Sequence, residues 1–305
     1  MEKHRKKLIK NAAVFDGHSS GLAQGKKIVI EDDIVTEITV DEVSEENFDE
    51  VFDGTGMVAM PGMTDAHVHM GCLFAKGEFP VDYAMVLTVA KCKDALMAGF
   101  TTFCDAGSVS EGLKLAFDEG VLPGPRIYPC GAYISQTCGH GDSEYAHTYR
   151  DIQYRHPSST VLADGVPEII RAVREQFYRG ASHIKLMATE ILNRHEDIRL
   201  LFGTDMMITG PDYQVEQSED IRYYEKRFGT MRALRALTGT ANEVFALTTY
   251  QNPYPKGKIG VLEAGAFADL LLVDGDPTKR VSVLADTDHL RLIMKGGMVY
   301  KNTLC

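Results

Sequence analysis

The densest run of residues able to do chemistry is Met60-Pro61-Gly62-Met63-Thr64-Asp65-Ala66-His67-Val68-His69. An apolar strand passes through a Pro-Gly turn into His-x-His. Residues two apart on an extended segment point the same way. Both imidazoles can therefore face one cation, and imidazole suits zinc-like ions. Spacing alone leaves open two solvated loop histidines in a chain that has ten. The second candidate is Lys185, inside the apolar run Gly180-Ala181-Ser182-His183-Ile184-Lys185-Leu186-Met187-Ala188-Thr189. A buried lysine is costly unless paired or neutralised. Reaction with carbon dioxide would make it a carbamate, an anion able to bridge two cations. The plainer alternative is a lysine whose stem is buried and whose head reaches water. Third, Leu201-Phe202-Gly203-Thr204-Asp205 ends an apolar strand on a carboxylate. Asp205 either ligates metal and moves protons or caps the next turn. Fourth, His140 sits between glycines in Cys138-Gly139-His140-Gly141-Asp142, which permit close approach of a ligand. It either polarises a substrate carbonyl, or meets its carboxylate, or is an exposed loop histidine. The polar stretch 141–164 after it reads as a lid or as a surface loop.

These groups need a scaffold that brings them to one place. Strands are expected at Val58–Met60, Thr101–Asp105, Arg126–Ile134, His183–Ala188 and Arg199–Thr204, with helices at Asp82–Ala98, Ser110–Glu119, Val166–Arg179 and Asp220–Leu237. Such alternation predicts parallel strands with crossover helices, and places chemistry at the C-terminal strand ends. Both ends of the chain are β-rich instead: Leu8–Phe15, Lys27–Glu31 and Ile34–Val40, then Ala268–Val273, Leu290–Met294 and Met298–Lys301 after a Gly296-Gly297 turn. The expected organisation is a composite β-sandwich from residues 1–57 and 255–305 around an α/β, (β/α)-barrel-type domain over 58–254. With 305 residues and 44% hydrophobic content the chain can bury a sizeable core. A net charge of −11 argues against nucleic acid as a partner. Six cysteines without a C-x-x-C pair read as reduced thiols of a cytoplasmic protein. Lys10, Asn11 and Asp16 interrupt the N-terminus, so no signal peptide is read, and no apolar run is long enough to cross a membrane.

Taken together, the motifs resemble the amidohydrolase superfamily of metal-dependent hydrolases. The resemblance is to the branch of imidazolonepropionase-like proteins, Xaa-Pro dipeptidases and lysine/arginine carboxypeptidases. It runs through PGMTDAHVH, AGFTTFCDAG, GPRIYPCGAYIS with GHGD, VREQFYRGASHIKLMAT, FGTD, GVLEAGAFADLLLVDGDP and LIMKGGMVYKN. The resemblance implies a TIM-barrel-type domain and one or two divalent metal ions, zinc first among them. It implies that His67 and His69 ligate the more buried metal and that Lys185, as a carbamate made with carbon dioxide, bridges two metals. Asp205 would complete the first site and move protons. A metal-activated hydroxide would hydrolyse the C–N bond of a small amide or dipeptide-like substrate.

The sequence departs from that pattern at one place. The branch has a long stretch between the bridging lysine and the G-T-D strand, with two strands whose histidines hold the second metal. Here only His195 lies between Lys185 and Asp205, in a segment that reads as a helix. Five barrel-type strands are counted where a closed barrel has eight. The barrel is therefore expected to be incomplete, and its open edges favour a homo-oligomer. The alternative function is a non-catalytic or inactive truncated member serving as a binding or assembly module.

Overall fold

The computed structural model describes residues 5–70, 81–107, 111–139, 141–142, 160–186, 199–207 and 213–304. Strands β1 (Lys6–Lys10), β3 (Lys27–Glu31), β4 (Ile34–Thr39) and β5 (Glu50–Asp53) form one sheet in the order β4-β3-β1-β5. A second sheet, β15-β14-β13-β6-β2, joins β2 (Ala13–Val14) and β6 (Val58–Pro61) to β13 (Leu270–Val273), β14 (Leu290–Lys295) and β15 (Met298–Asn302). The last hairpin turns on Gly296 and Gly297 at φ of 55° and 70°, the left-handed pair that a two-residue turn demands.

This second sheet is buried on both faces. Leu270, Leu272, Leu292 and Met294 pack with Ile9, Ile28, Ile30 and Phe52 of the first sheet. Leu271, Val273, Leu290 and Ile293 point the other way, into a core shared with the helices. A strand covered on both sides loses the polar half of its alternation, which is why β13 reads Leu-Leu-Leu-Val.

The third layer is parallel, in the order β12-β7-β8-β9, with β7 (Met63–His69), β8 (Phe100–Asp105), β9 (Arg126–Tyr128) and β12 (Met206–Met207). Strand β10 (Tyr133–Ser135) pairs in parallel with β11 (Thr160–Leu162), and Ile134 makes a single parallel bridge to Leu186. Helices α1 (Val81–Met97), α2 (Glu111–Asp118), α4 (Tyr213–Phe228) and α5 (Thr230–Leu237) cover one face of this sheet. Their Leu96, Phe117, Ile221 and Leu234 share a core with Met63, Val68, Phe103 and Ile127. Helix α3 (Val166–Tyr178) sets Ala172 against Ile134, and α6 (Gly239–Phe245) stacks Phe245 on Tyr128 at 3.9 Å. Among the described residues these strands do not close into a barrel. No described helix is long and apolar enough to cross a membrane.

Several elements differ from expectation: Leu8–Phe15 is two strands in different sheets, and the described part of His183–Ala188 makes only the single bridge at Leu186. Val58–Pro61 pairs antiparallel with β13 and so belongs to the β layer that both termini build. The expected strand Arg126–Ile134 is two strands, interrupted where Gly131 takes φ of 68° and Ala132 N–H donates to the Gln176 side chain. The expected helix Asp220–Leu237 begins at Tyr213 and breaks at Gly229, φ 81°. Arg199–Thr204 follows β7 without regular pairing until Met206, because its groups bond to Asp65 and to the β7 backbone instead.

One buried ion pair fastens the layers. Arg126 on β9 donates from Nε and Nη2 to the two Asp269 oxygens, at 2.7 and 3.1 Å, just before β13. Its guanidinium lies 3.7 Å over the Phe267 ring. Tyr254 completes the seam, accepting from Ile127 N–H at 2.8 Å and donating to Asp118 at 3.0 Å. Lys295, only 6% exposed, sits in the same seam. Burial, and then the Arg126 charge, push its amine down to about 8 from 10.5. Asp269 and Asp118 oppose that shift, and Lys114 adds to it.

The linkage has a definite sign. Between pH 8 and 10.5 the unfolded chain holds the Lys295 proton and the folded chain does not, so stability rises with pH across that window. Lys295→Met is expected to remove that rise, and urea unfolding of both proteins from pH 7.5 to 10.5 measures it. Parallel stability curves for the two would contradict the burial argument.

Candidate metal centre

Strand β7 delivers the histidines. Val68 points into the helix-covered core, so His67 and His69 point to the opposite face. Asp205 arrives from the segment that leads into β12, and its N–H donates to the His67 carbonyl at 2.8 Å. It holds φ of 54°, a left-handed conformation that aspartate tolerates better than most residues. Its Oδ1 lies 2.8 Å from His67 Nε2 and 3.2 Å from His69 Nε2. Lys185 reaches the same spot from the third side, with Nζ 2.7 Å from His67 Nε2. The structure thus gathers His67, His69, Lys185 and Asp205. His140 and His195, and most of the stretch after His140, lie outside the described residues.

The buried scaffold beneath them is Asp65. Its Oδ1 accepts from the backbone N–H groups of His67 and Thr204, each at 3.2 Å. Its Oδ2 accepts from Thr204 Oγ1 at 2.9 Å and from Gln217 Nε2 of α4 at 3.3 Å. Asp65 has no exposed surface. Burial pushes its carboxyl up to about 6, against the pull of those hydrogen bonds. Gly203 makes the crossing possible: a Cβ there would stand 2.7 Å from the Cβ of His67. Neither Asp65 nor Gln217 is singled out by spacing, although Asp65 stands just two residues before the His-x-His motif. Its burial is the signal, and burial is not written in the sequence.

Burial first, and then the Lys185 charge, hold His67 down at about 4, while Asp205 pulls the other way. His69 is lowered by the same causes. Both rings are neutral at pH 7 and keep a lone pair for a ligand. The donor atoms of His67, His69 and Asp205 lie within 4.8 Å of one another. His67 Nε2 meets a contradiction without a cation: facing Lys185 it needs a lone pair, but that lone pair then faces the Asp205 oxygen. A divalent ion among the three donors would occupy that lone pair and pair with the carboxylate, provided the Lys185 amine gives up its charge, and two imidazoles with a carboxylate suit zinc-type ions. The donor set therefore fits a metal.

Deeper on the same face, Cys104 Sγ lies 3.4 Å from His183 Nε2, and Ser182 Oγ lies 3.0 Å from His183 Nδ1. Burial pushes the thiol up to about 12, with Asp105 and Asp65 adding to it. Burial, Lys185 and His67 push His183 down to about 4. Neither residue was picked out as a candidate from spacing, because they are distant in sequence and meet only across strands.

Residues 58–197 match the Amidohydrolase family. Ochratoxinase of Aspergillus niger is 34% identical over 152 residues, which cover 43% of this chain and 31% of that protein. The chain thus spans about a third of the length of the curated relatives it matches. Among solved structures, an amidohydrolase superposes with a TM-score of 0.84 at 23% identity, covering 98% of this chain and 100% of the other. A prolidase in complex with N-methylphosphonate-L-proline superposes at 0.82 and 22% identity, covering 97% and 100%. These likenesses carry the fold, which is of the TIM-barrel α/β type.

Gly203→Ala is expected to displace His67. Crowding of this kind costs about 1–3 kcal/mol of stability, and zinc affinity measured by competition with a chelator should fall. Unchanged affinity in a folded variant would contradict the close-packing account.

Proposed function

We propose, on the premise that the chain belongs to the amidohydrolase superfamily, that it hydrolyses the C–N bond of a small amide or dipeptide-like substrate. The observation that carries this reading is the convergence of His67, His69 and Asp205 on one point. Those three residues hold a divalent metal, zinc first among the candidates. A divalent ion bound there supplies two things, a water acidified toward pKa ~7 and a polarised carbonyl. Every other task falls to the chain.

His67 and His69, neutral at pH 7, hold the centre with their Nε2 atoms. Asp205, with a side chain 71% exposed and turned to the open side, takes the proton released by the attacking water and gives it to the departing nitrogen. Asp65 keeps that carboxylate in place through Thr204. Lys185 stands where a carbamate, formed from its amine and carbon dioxide with loss of a proton, would set an anionic oxygen beside His67. His140 serves the substrate carbonyl or carboxylate.

The same proposal divides the chain into a composite β-sandwich, 1–57 with 255–305, and a barrel-type domain, 58–254, with about five of eight strands. The partners are small substrates and a second copy of the chain, in the cytoplasm, without nucleic acid or membrane. One observation favours a second reading, a non-catalytic binding or assembly member. Among the described residues, His67, His69 and Asp205 are the one group of three donors within reach of a single ion.

The test is hydrolysis of a panel of N-acyl amino acids and dipeptides by zinc-loaded protein. Turnover is expected, and Asp205→Asn should lower kcat by ~10²–10⁴ with little change in KM, as loss of a proton-transfer group does. Turnover unaffected by Asp205→Asn would contradict the assigned proton path. Metal binding without turnover of any substrate would favour the second reading.

A further inference from the structure

We infer that Cys104 and His183 form a second metal-donor pair, a thiol and an imidazole that take a borderline divalent cation such as zinc next to the His67, His69 and Asp205 centre. The inference stands beside the proposed function and fails separately from it.

Strand geometry places the pair on the face opposite the helix-covered core. Phe103 on β8 points into the helix-covered core, so Cys104 points to the opposite face, where it packs near Tyr128. Ile184 packs against Ile134 and Ala172 behind the sheet. Its neighbours His183 and Lys185 therefore point forward, one to Cys104 and the other to His67. Lys185 and the pair are close enough that its charge acts on both. The donors thus lie close together, from His69 and Asp205 through His67 and Lys185 to His183 and Cys104.

Distance and direction suit a metal. Bond lengths of ~2.3 Å to sulfur and ~2.0–2.1 Å to nitrogen, at a tetrahedral angle, put the two donor atoms ~3.6 Å apart. Sγ and Nε2 are 3.4 Å apart. Ser182 sets the ring. Its hydroxyl donates to the Pro129 carbonyl at 3.0 Å, so it accepts from His183 Nδ1–H. In that tautomer the Nε2 lone pair faces the thiol, and the Asp105 backbone also bonds the ring, opposing the downward push on its proton affinity. Both side chains retain some exposure, whereas Cys92 and Cys130 are buried. Thiolate and imidazole together favour zinc-type over magnesium-type ions.

A thiol next to an oriented imidazole is also the layout of a nucleophilic dyad. That use would move the sulfur proton onto His183 and create an imidazolium facing the Lys185 ammonium. A divalent ion instead sends the thiol proton to solvent and binds both donors. With two protein donors and water in the remaining positions, this ion binds more weakly than the one at His67, His69 and Asp205.

The experiment is cobalt titration of the full chain followed by absorption. A near-ultraviolet thiolate-to-cobalt band is expected to grow in after the visible bands of the first ion. Cys104→Ala should abolish it and leave the visible bands in place, and His183→Gln should weaken cobalt binding in that phase at least tenfold. Visible bands without a thiolate band would overturn the inference while leaving the first centre intact, and so would a thiolate band that survives in Cys104→Ala. Absence of all cobalt bands would defeat both. Zinc X-ray absorption of the unmodified protein needs no variant to fold. Sulfur at ~2.3 Å is expected at saturating zinc, and a shell of nitrogen and oxygen alone would overturn the pair.

Discussion

A single carboxylate with no contact to water, Asp65, carries the geometry of the centre. It accepts hydrogen bonds from β7, from Thr204 and from Gln217 of α4. Asp205 reaches the histidines only because that network pins the segment before it. An ionised carboxyl in such a place is costly unless nearly every lone pair is occupied. The cost is offset by donors drawn from three elements, so the arrangement holds only when all three are in place. Gly203 meets the same constraint from the steric side, since its lack of a side chain lets the segment lie against His67.

The seam between the parallel sheet and the sheet of both termini supplies the second constraint. Arg126 and Asp269 are each nearly buried and bonded at two points. Removing one partner of such a pair strands the other charge, which costs far more than the pair itself contributes. The pair also fixes where β13 sits against β9, and with it where β6 hands the chain to β7. Thus the β layer at the termini, which holds none of the centre's donors, sets the starting point of the strand that holds two of them.

Much of this was legible in the sequence. The alternation across His67-Val68-His69 gives the common face of the two imidazoles, and the apolar runs give the parallel strands. The β-rich ends read as strands, and strands from both ends of the chain share one sheet. What was not legible depends on contacts distant in sequence. Val58–Pro61 looks like any apolar strand, and only pairing with Leu270–Val273 assigns it to the terminal layer. Gly131 and Gly229 break a strand and a helix because each takes a positive φ, a choice that glycine permits but does not announce. Asp65, Cys104 and His183 gain their meaning from burial and from partners on other strands.

The central claim is that His67, His69 and Asp205 hold a metal ion. Elemental analysis of the purified chain, together with His67→Ala/His69→Ala, tests it most directly. The account predicts tightly held zinc or a similar ion in the parent protein and its loss from a double variant that still folds. A parent protein that carries no metal after exposure to zinc, or a double variant that retains the full content, would contradict it.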